Sequence, residues 1–369
     1  MGTDRSGDAT STAIATRGRS DPSLRRLAYV LASIALLAAA AVLAWAVLEG
    51  SRRVRPIGDG HDPASYQFDL GSLAADPGLA ASGRPRDYLP SLDRPQTIAG
   101  SEVAEFNASH RRRPVVTTDR VVGVVINGEA RAYPVPLLEV HEIVNDQLGG
   151  VPIAVSFSPL ADMAVVFRRD IEGEVREFGL SGLMLDATHL LYDRTRTSPQ
   201  PESSPSLWSP IRLQSVAGPL ESEPLSIVPM VSVANWGEWL NTHPETTVAL
   251  GDLGSQERDR RIDYTQSIRS PGLPFPVGGI DPAGTSPSDW IALKSGAVAI
   301  RDATGKWQVR TLEDLRLLPP ARSSDSTPFS ADPQQRTVLV HVEPGADRSL
   351  VVIPCMHFAA ERLGPRSLP

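Results

Sequence analysis

The sequence predicts a β-rich α+β fold: antiparallel hairpins with a few short helices, preceded by one N-terminal transmembrane helix. Three observations lead there. Short apolar runs pair across turn dipeptides along most of the chain. One uncharged apolar run, Leu27–Leu48, stands near the N-terminus. No alternation of strands with long helices, of the kind that builds a parallel sheet, occurs. The 33 prolines and 29 glycines add short elements and many turns. At 369 residues the chain suffices for one large domain or two ordinary ones.

Residues 1–26, rich in Ser, Thr, Gly, Arg and Asp without periodicity, are expected to form a disordered cytoplasmic tail. Leu27–Leu48 is 22 residues without a charge. As a helix it measures about 33 Å, enough for a hydrocarbon core of about 30 Å. A cleaved signal peptide fits less well, because its apolar region is usually only about 7–15 residues. Five arginines precede the run (Arg5, Arg17, Arg19, Arg25, Arg26) and three follow it (Arg52, Arg53, Arg55). The positive-inside tendency then predicts a single-pass protein of an inner (cytoplasmic) membrane, its C-terminal bulk extracytoplasmic.

Residues 51–86 have the composition of a linker. A β-rich domain is expected over 87–251, an irregular connection over 252–290, and a C-terminal hairpin subdomain over 291–369. Within the first, Asn127-Gly128 between two apolar runs signals a tight hairpin. Pro136 opens a segment where Leu137, His141, Val144 and Leu148 fall on one helical face, with Gly149-Gly150 as its stop. VPIAVSF is a strand with Val151, Ile153, Val155 and Phe157 on one face, leading into a tight turn at Ser158–Met163 and a second strand. AVVFRRD and EVREFGL form a hairpin across Ile171-Glu172-Gly173, and LLYDR is a further strand. Ser232 caps a short helix, VANWGEWLNT, whose Trp236 and Trp239 anchor it on the sheet. Farther on, hairpins are expected across Ala303-Thr304-Gly305 and across Pro344-Gly345-Ala346-Asp347.

The net charge of −7 argues against a nucleic-acid surface. The lone cysteine, Cys355, allows no intrachain disulfide and no cysteine-based metal site within one chain. Histidines and carboxylates must therefore carry any acid–base work. His141 with Glu142 is the first candidate pair, and Asn145 shares the expected helical face with His141. His-Glu without a second histidine four residues on, where Asn145 stands, is not a zinc-protease motif. Asp186, His189 and Asp193 form a second polar set, and Ser181-Gly182 is a tight turn presenting a hydroxyl. Catalytic candidates are thus His141, Glu142 and Asp186. Binding candidates are Asn145, Ser158, Asp162, Ser181, His189 and Trp208. Whether a metal or other cofactor takes part is unknown from the pattern.

Between about Leu89 and Gly251 the chain resembles the bacterial and archaeal domain-of-unknown-function family 3179. The residues that carry the resemblance are Leu89-Pro90-Ser91-Leu92-Asp93, VIN-GEARAYP, HEIVND-x-x-GG-x-P, FGLSG, LLYDR, Ser206-Leu207-Trp208-Ser209, Ala217-Gly218-Pro219-Leu220 and W-x-x-W-x-x-x-HP. The resemblance implies a shared fold and little biochemistry. Family members typically read C-P-L-C-G-[TS] where this chain has Ser158-Pro159-Leu160-Ala161-Asp162-Met163, so both thiols of a C-x-x-C pair are replaced. Val140 stands where a tryptophan is usual, and Asp186 where an asparagine is.

Three readings fit. The first is a membrane-anchored, divergent member that binds a small molecule or partner. The second is an acid–base or metal-assisted enzyme using His141 and Glu142. The third is a structural envelope or assembly protein. In the first two, the pocket is expected where the HEIVND segment, the Ser158–Met163 turn and the Ser181–Asp186 turn converge.

Overall fold

The computed structural model describes residues 22–51, 56–110, 113–195, 205–229, 231–251, 262–302, 304–316, 329–340 and 351–363. Most of the expected tail, the start of the 252–290 connection and the Pro344–Asp347 turn lie outside these residues. The chain divides into two compact units, Met1–Arg55 and Pro56–Pro369.

The first unit holds helix α1, Pro22–Ser51, of 30 residues. Among the described residues no helix is long and apolar enough to cross a membrane. The α1 side chains described without interruption run from Tyr29 to Val42, about 20 Å of helix, against a hydrocarbon core of about 30 Å. The transmembrane span expected over Leu27–Leu48 is therefore not shown by the fold.

The second unit is built in layers around a four-stranded sheet. Its strands are β2 (Leu92–Asp93), β6 (Ile143–Leu148), β7 (Val151–Ser158) and β8 (Met163–Arg168), in that order. Both faces are apolar, as in a sheet covered on two sides. Ile153, Val155, Phe157, Ala164 and Val166 face one core, while Ala154, Met163, Val165 and Phe167 face another.

The first core is shared with a seven-stranded sheet. Its order is β18 (Phe329–Asp332), β19 (Thr337–Val340), β14 (Ser232–Asn235), β4 (Arg120–Ile126), β5 (Glu129–Pro134), β15 (Thr247–Leu250) and β3 (Gln96–Ala99). The second core is shared with two sheets. One contains β1 (Leu79–Ala81), β10 (Glu174–Leu185), β11 (Thr188–Thr195), β12 (Leu207–Ser209) and β13 (Gln214–Ala217), with β9 (Asp170–Ile171) beside β10. The other contains β17 (Trp307–Thr311), β16 (Gly296–Arg301) and β20 (Val351–Met356). The fold is thus α+β and β-rich, its strand pairs mostly antiparallel, with short helices at the margins of unit two.

Several turns follow directly from the sequence. Asn127 and Gly128 both take positive φ, 51° and 85°, as a two-residue hairpin between β4 and β5 requires. The strand, turn and strand around Ser158–Met163 are β7 and β8, paired antiparallel. Trp236 and Trp239 pack beside Val121, Ala132 and Val248 of the seven-stranded sheet.

Other expectations are corrected. The helix opened by Pro136 ends early: helix α3 spans Val135–His141, after α2 (Val103–Ser109), and Ile143–Leu148 is strand β6. Val144 and Leu148 are four apart, a spacing that suits both a helical face and one side of a strand. β-Branched Ile143 and Val144 favour the strand. Gly149-Gly150, with φ of 55° and 77°, is the β6–β7 hairpin turn and not a helix stop. Ser232 pairs with Gly123 in β14, so helix α4 begins only at Trp236 and ends at Thr242. The turn at Ile171–Gly173 does join paired residues, but β8 lies against β7 while the short β9 meets β10. β19 and β20 lie in different sheets and form no hairpin together.

Residues 56–86, read as a linker, bury Tyr66 and Leu73 against the six-stranded sheet and supply its edge strand β1. Past 262 the connection carries helices α5 (Thr265–Arg269) and α6 (Pro287–Leu293). Helices α7 (Leu312–Arg316) and α8 (His357–Ala360) complete the unit. Cys355 is buried in β20, and burial pushes its thiol far up, so it stays a neutral packing group.

Candidate functional site

A cavity of about 260 Å³ lies between the four-stranded and six-stranded sheets. Its wall is built by three segments that are distant in sequence. Ser158, Pro159 and Leu160 come from the β7–β8 turn; Leu180 and Gly182–Met184 come from the irregular middle of β10. Glu142 comes from the junction of α3 and β6. The segments expected to converge therefore do so. Two further walls come from Ser82–Leu89 and from Ile262–Phe275. Most of the lining is apolar, as in small-molecule sites, and the volume lies just below the usual range of about 300–1,000 Å³.

Local backbone geometry sets the polar groups. Glu142 ends α3 in the left-handed region, φ 56°, with its N–H bonded to Leu138 O at 2.7 Å. A non-glycine residue there is uncommon and is held by its surroundings. This turns the Glu142 side chain into the cavity, while His141 faces away and its Nδ1 meets Pro90 O at 2.7 Å. Gly182, φ 82°, breaks the β10–β11 register between Leu180 and Met184, opening space beside His189.

The cavity's polar centre is a chain of hydrogen bonds. Tyr264 Oη donates to Glu142 Oε1. His189 Nδ1 lies 3.0 Å from Glu142 Oε2, and its Nε2 lies 2.7 Å from Ser156 Oγ. An ionised carboxylate only accepts, which requires a proton on Nδ1 and, in a neutral imidazole, leaves Nε2 to accept from the serine. Burial first, and then the Glu142 charge, pushes the Tyr264 phenol far up, so it remains a donor. Serine, imidazole and carboxylate stand in the order of a hydrolytic triad. Yet Ser156 is 2% exposed and is not part of the cavity wall, so its hydroxyl is no accessible nucleophile. Ser158, two residues on and on the same face of β7, reaches the wall instead. At the rim, the Arg84 guanidinium lies over the Tyr88 ring, 4.6 Å from its centroid.

The other candidates lie elsewhere. Asp186 accepts from Gly278 N at 2.8 Å and meets Arg362 at 3.1 Å and Arg212 at 3.5 Å, in a buried ion network apart from His141. Asn145 bridges Asp93 Oδ1 and both backbone groups of Phe178, which joins β6 to β10. It shares no helical face with His141, because it lies in a strand. Asp162 pairs with Arg120 at 2.8 Å in the β7–β8 turn. Ser181 Oγ donates to Leu190 O at 2.7 Å and accepts from Leu183 N at 3.0 Å, so its hydroxyl is spent on the turn. Trp208 is fully buried, edge-on to Phe178. Glu142, Ser158 and His189 are thus brought together, and His141, Asp186, Asn145, Asp162, Ser181 and Trp208 are not among the cavity's lining residues. Among the described residues no group of three or more His, Cys, Asp or Glu could hold a metal ion.

Tyr264 and Ser156 escaped sequence reasoning. Tyr264 sits in an aperiodic connection 122 residues from its partner, and Ser156 reads as an ordinary strand residue. For Ser156, the available signal was its spacing of two from Ser158, which puts both on one strand face.

The fold and cavity define a β-rich domain with a partly open, mostly apolar site that contains a buried carboxylate–imidazole pair. The model of a family described as "Protein of unknown function (DUF3179)" matches residues 86–351. That is well over half of the chain, which therefore belongs to this family. The match runs past the Leu89–Gly251 stretch of the resemblance and takes in β16 to β19. Neither the curated proteins nor the solved structures gave a match.

Proposed function

We propose that this chain is a membrane-anchored binding protein whose cavity takes a small molecule with an apolar body and one polar group. The single observation that carries the reading is the construction of the cavity: an apolar wall converging on a polar chain, Tyr264–Glu142–His189–Ser156, whose members come from four separate elements. Such a centre orients one polar group while the wall supplies affinity. Ser158 and Ala161, standing where the resemblance puts a thiol pair, are consistent with binding in place of thiol chemistry.

Native mass spectrometry of the full chain tests the reading. A small molecule is expected to remain bound to the parent, and to be lost from Ser82→Trp, which fills the half-buried rim. Equal occupancy in both would place the ligand elsewhere and remove the cavity from the account.

Anchoring rests on α1. Its described apolar side chains, including Tyr29, Val30, Leu31, Leu36, Leu37 and Val42, are exposed. A helix apolar all round belongs in a core or a bilayer. The arginine excess before it supports an orientation with the bulk outside the cytoplasmic membrane. Protease added to intact spheroplasts should degrade the domain beyond residue 56; complete protection would reverse the orientation.

One observation favours a second reading, acid–base catalysis. The Glu142–His189 pair could move a proton at the cavity wall, with His189 and not His141 as the base. Turnover of any bound molecule by the parent, lost in His189→Gln with binding retained, would move this reading ahead.

A further inference from the structure

Five acidic residues are buried among the described residues: Asp76, Glu142, Asp146, Asp186 and Asp193. Four of them have an arginine. Asp76 meets Arg212 at 2.5 Å, Asp146 meets Arg131 at 2.7 Å, and Asp193 meets Arg176 at 2.5 Å. Asp186 meets both Arg362 and Arg212. Glu142 alone has no arginine or lysine partner among the described residues; its partners there are the Tyr264 phenol and the His189 imidazole. It is also the only one of the five that lines the cavity. A buried carboxylate is costly without a cation. His189 is its nearest basic group, an imidazole that is a cation only when protonated.

We infer that the ligand of this cavity carries a protonated amine, which docks on Glu142 as the cation that this carboxylate lacks. The inference rests on the binding reading above and names its ligand class. The surroundings agree. Among the described lining residues the other acid is Asp263 and the one arginine or lysine is Arg84; both are exposed, and Arg84 is stacked on Tyr88. Tyr264 and Phe275 add aromatic rings to the lining, a type of group whose face attracts an ammonium. The aliphatic wall of Leu160, Leu180 and Leu183 takes a short hydrocarbon arm. An anionic head of the same length would meet Glu142 as a like charge, so the site selects against it.

The test is calorimetric titration of the full chain with hexylamine, 1-hexanol and hexanoate, which share an arm and differ in head charge. Hexylamine is expected to bind at least about tenfold tighter than 1-hexanol, with hexanoate weakest. Glu142→Gln should bring hexylamine down to about the affinity of 1-hexanol. If 1-hexanol or hexanoate binds as well as the amine, or Glu142→Gln leaves the amine unaffected, the ligand class is wrong while the cavity remains a binding site. If none of the three binds the unaltered chain, both readings fall. The three-probe comparison on the unaltered chain decides the matter even where Glu142→Gln does not fold.

Discussion

Arg212→Met is expected to destabilise the second unit by about 3–5 kcal/mol, the loss typical of removing one partner from a buried ion pair. Arg212 is 4% exposed, and its Nη2 meets Asp76 at 2.5 Å and Asp186 at 3.5 Å. Those carboxylates are themselves 7% and 1% exposed. Without the guanidinium, Asp76 keeps the Gly78 N–H at 2.8 Å but loses its cation. Asp186 retains Arg362 and the Gly278 N–H, so most of the loss falls on Asp76. The consequence is architectural. Asp76 opens the turn that leads into β1, Asp186 lies in the β10–β11 turn, and Arg212 lies between β12 and β13, so one side chain ties three parts of the six-stranded sheet. Thermal and urea denaturation of the full chain would measure the effect. Adding Asp76→Asn to Arg212→Met should recover more than half of it, because the stranded charge is then gone. A loss under about 1 kcal/mol would mean that the pair is solvated, as surface pairs are.

How much of this was legible beforehand depends on how local each determinant is. The Asn127-Gly128 hairpin and the β7–β8 turn are local, and their residue types dictate them. The early end of α3 was hidden because Val144 and Leu148 satisfy two periodicities at once. Only pairing with β7, through Ile143↔Ser156 to Leu148↔Val151, decides between them. The candidate site divides the same way. Three converging segments could be named from their turn residues, yet the direction of each side chain could not. His141 and Glu142 are adjacent, and the left-handed backbone at Glu142 sends one to Pro90 and the other to the cavity. Asp186 is as polar as His189, but Arg212 and Arg362 claim it, and those arginines have no visible relation to it along the chain. Tyr264 is the extreme case, a cavity residue contributed by a stretch with no periodicity at all.

Gly182→Val should damage fold and site together, which makes it the sharpest link between them. Gly182 has φ 82°, where a β-branched residue is a genuine outlier costing about 1–2 kcal/mol. A Cβ at this position would also lie 2.3 Å from Tyr66 Cε1 and 3.1 Å from Arg84 O. Tyr66 is fully buried, so its ring has nowhere to move, and overpacking of this kind costs about 1–3 kcal/mol more. Together the expected loss is about 2–5 kcal/mol. The Tyr66 hydroxyl donates to Arg84 O at 2.5 Å, so displacing the ring also shifts the rim of the cavity. Gly182→Ala separates the two effects. It keeps the strained φ and the clash but adds less bulk, so it should lose less stability while still weakening hexylamine binding several-fold. If Gly182→Ala melts and binds like the parent, the ring of Tyr66 is not confined and the rim is not set by it. If both variants melt lower but bind normally once folded, Gly182 serves the fold alone, and the irregular middle of β10 is not what shapes the cavity.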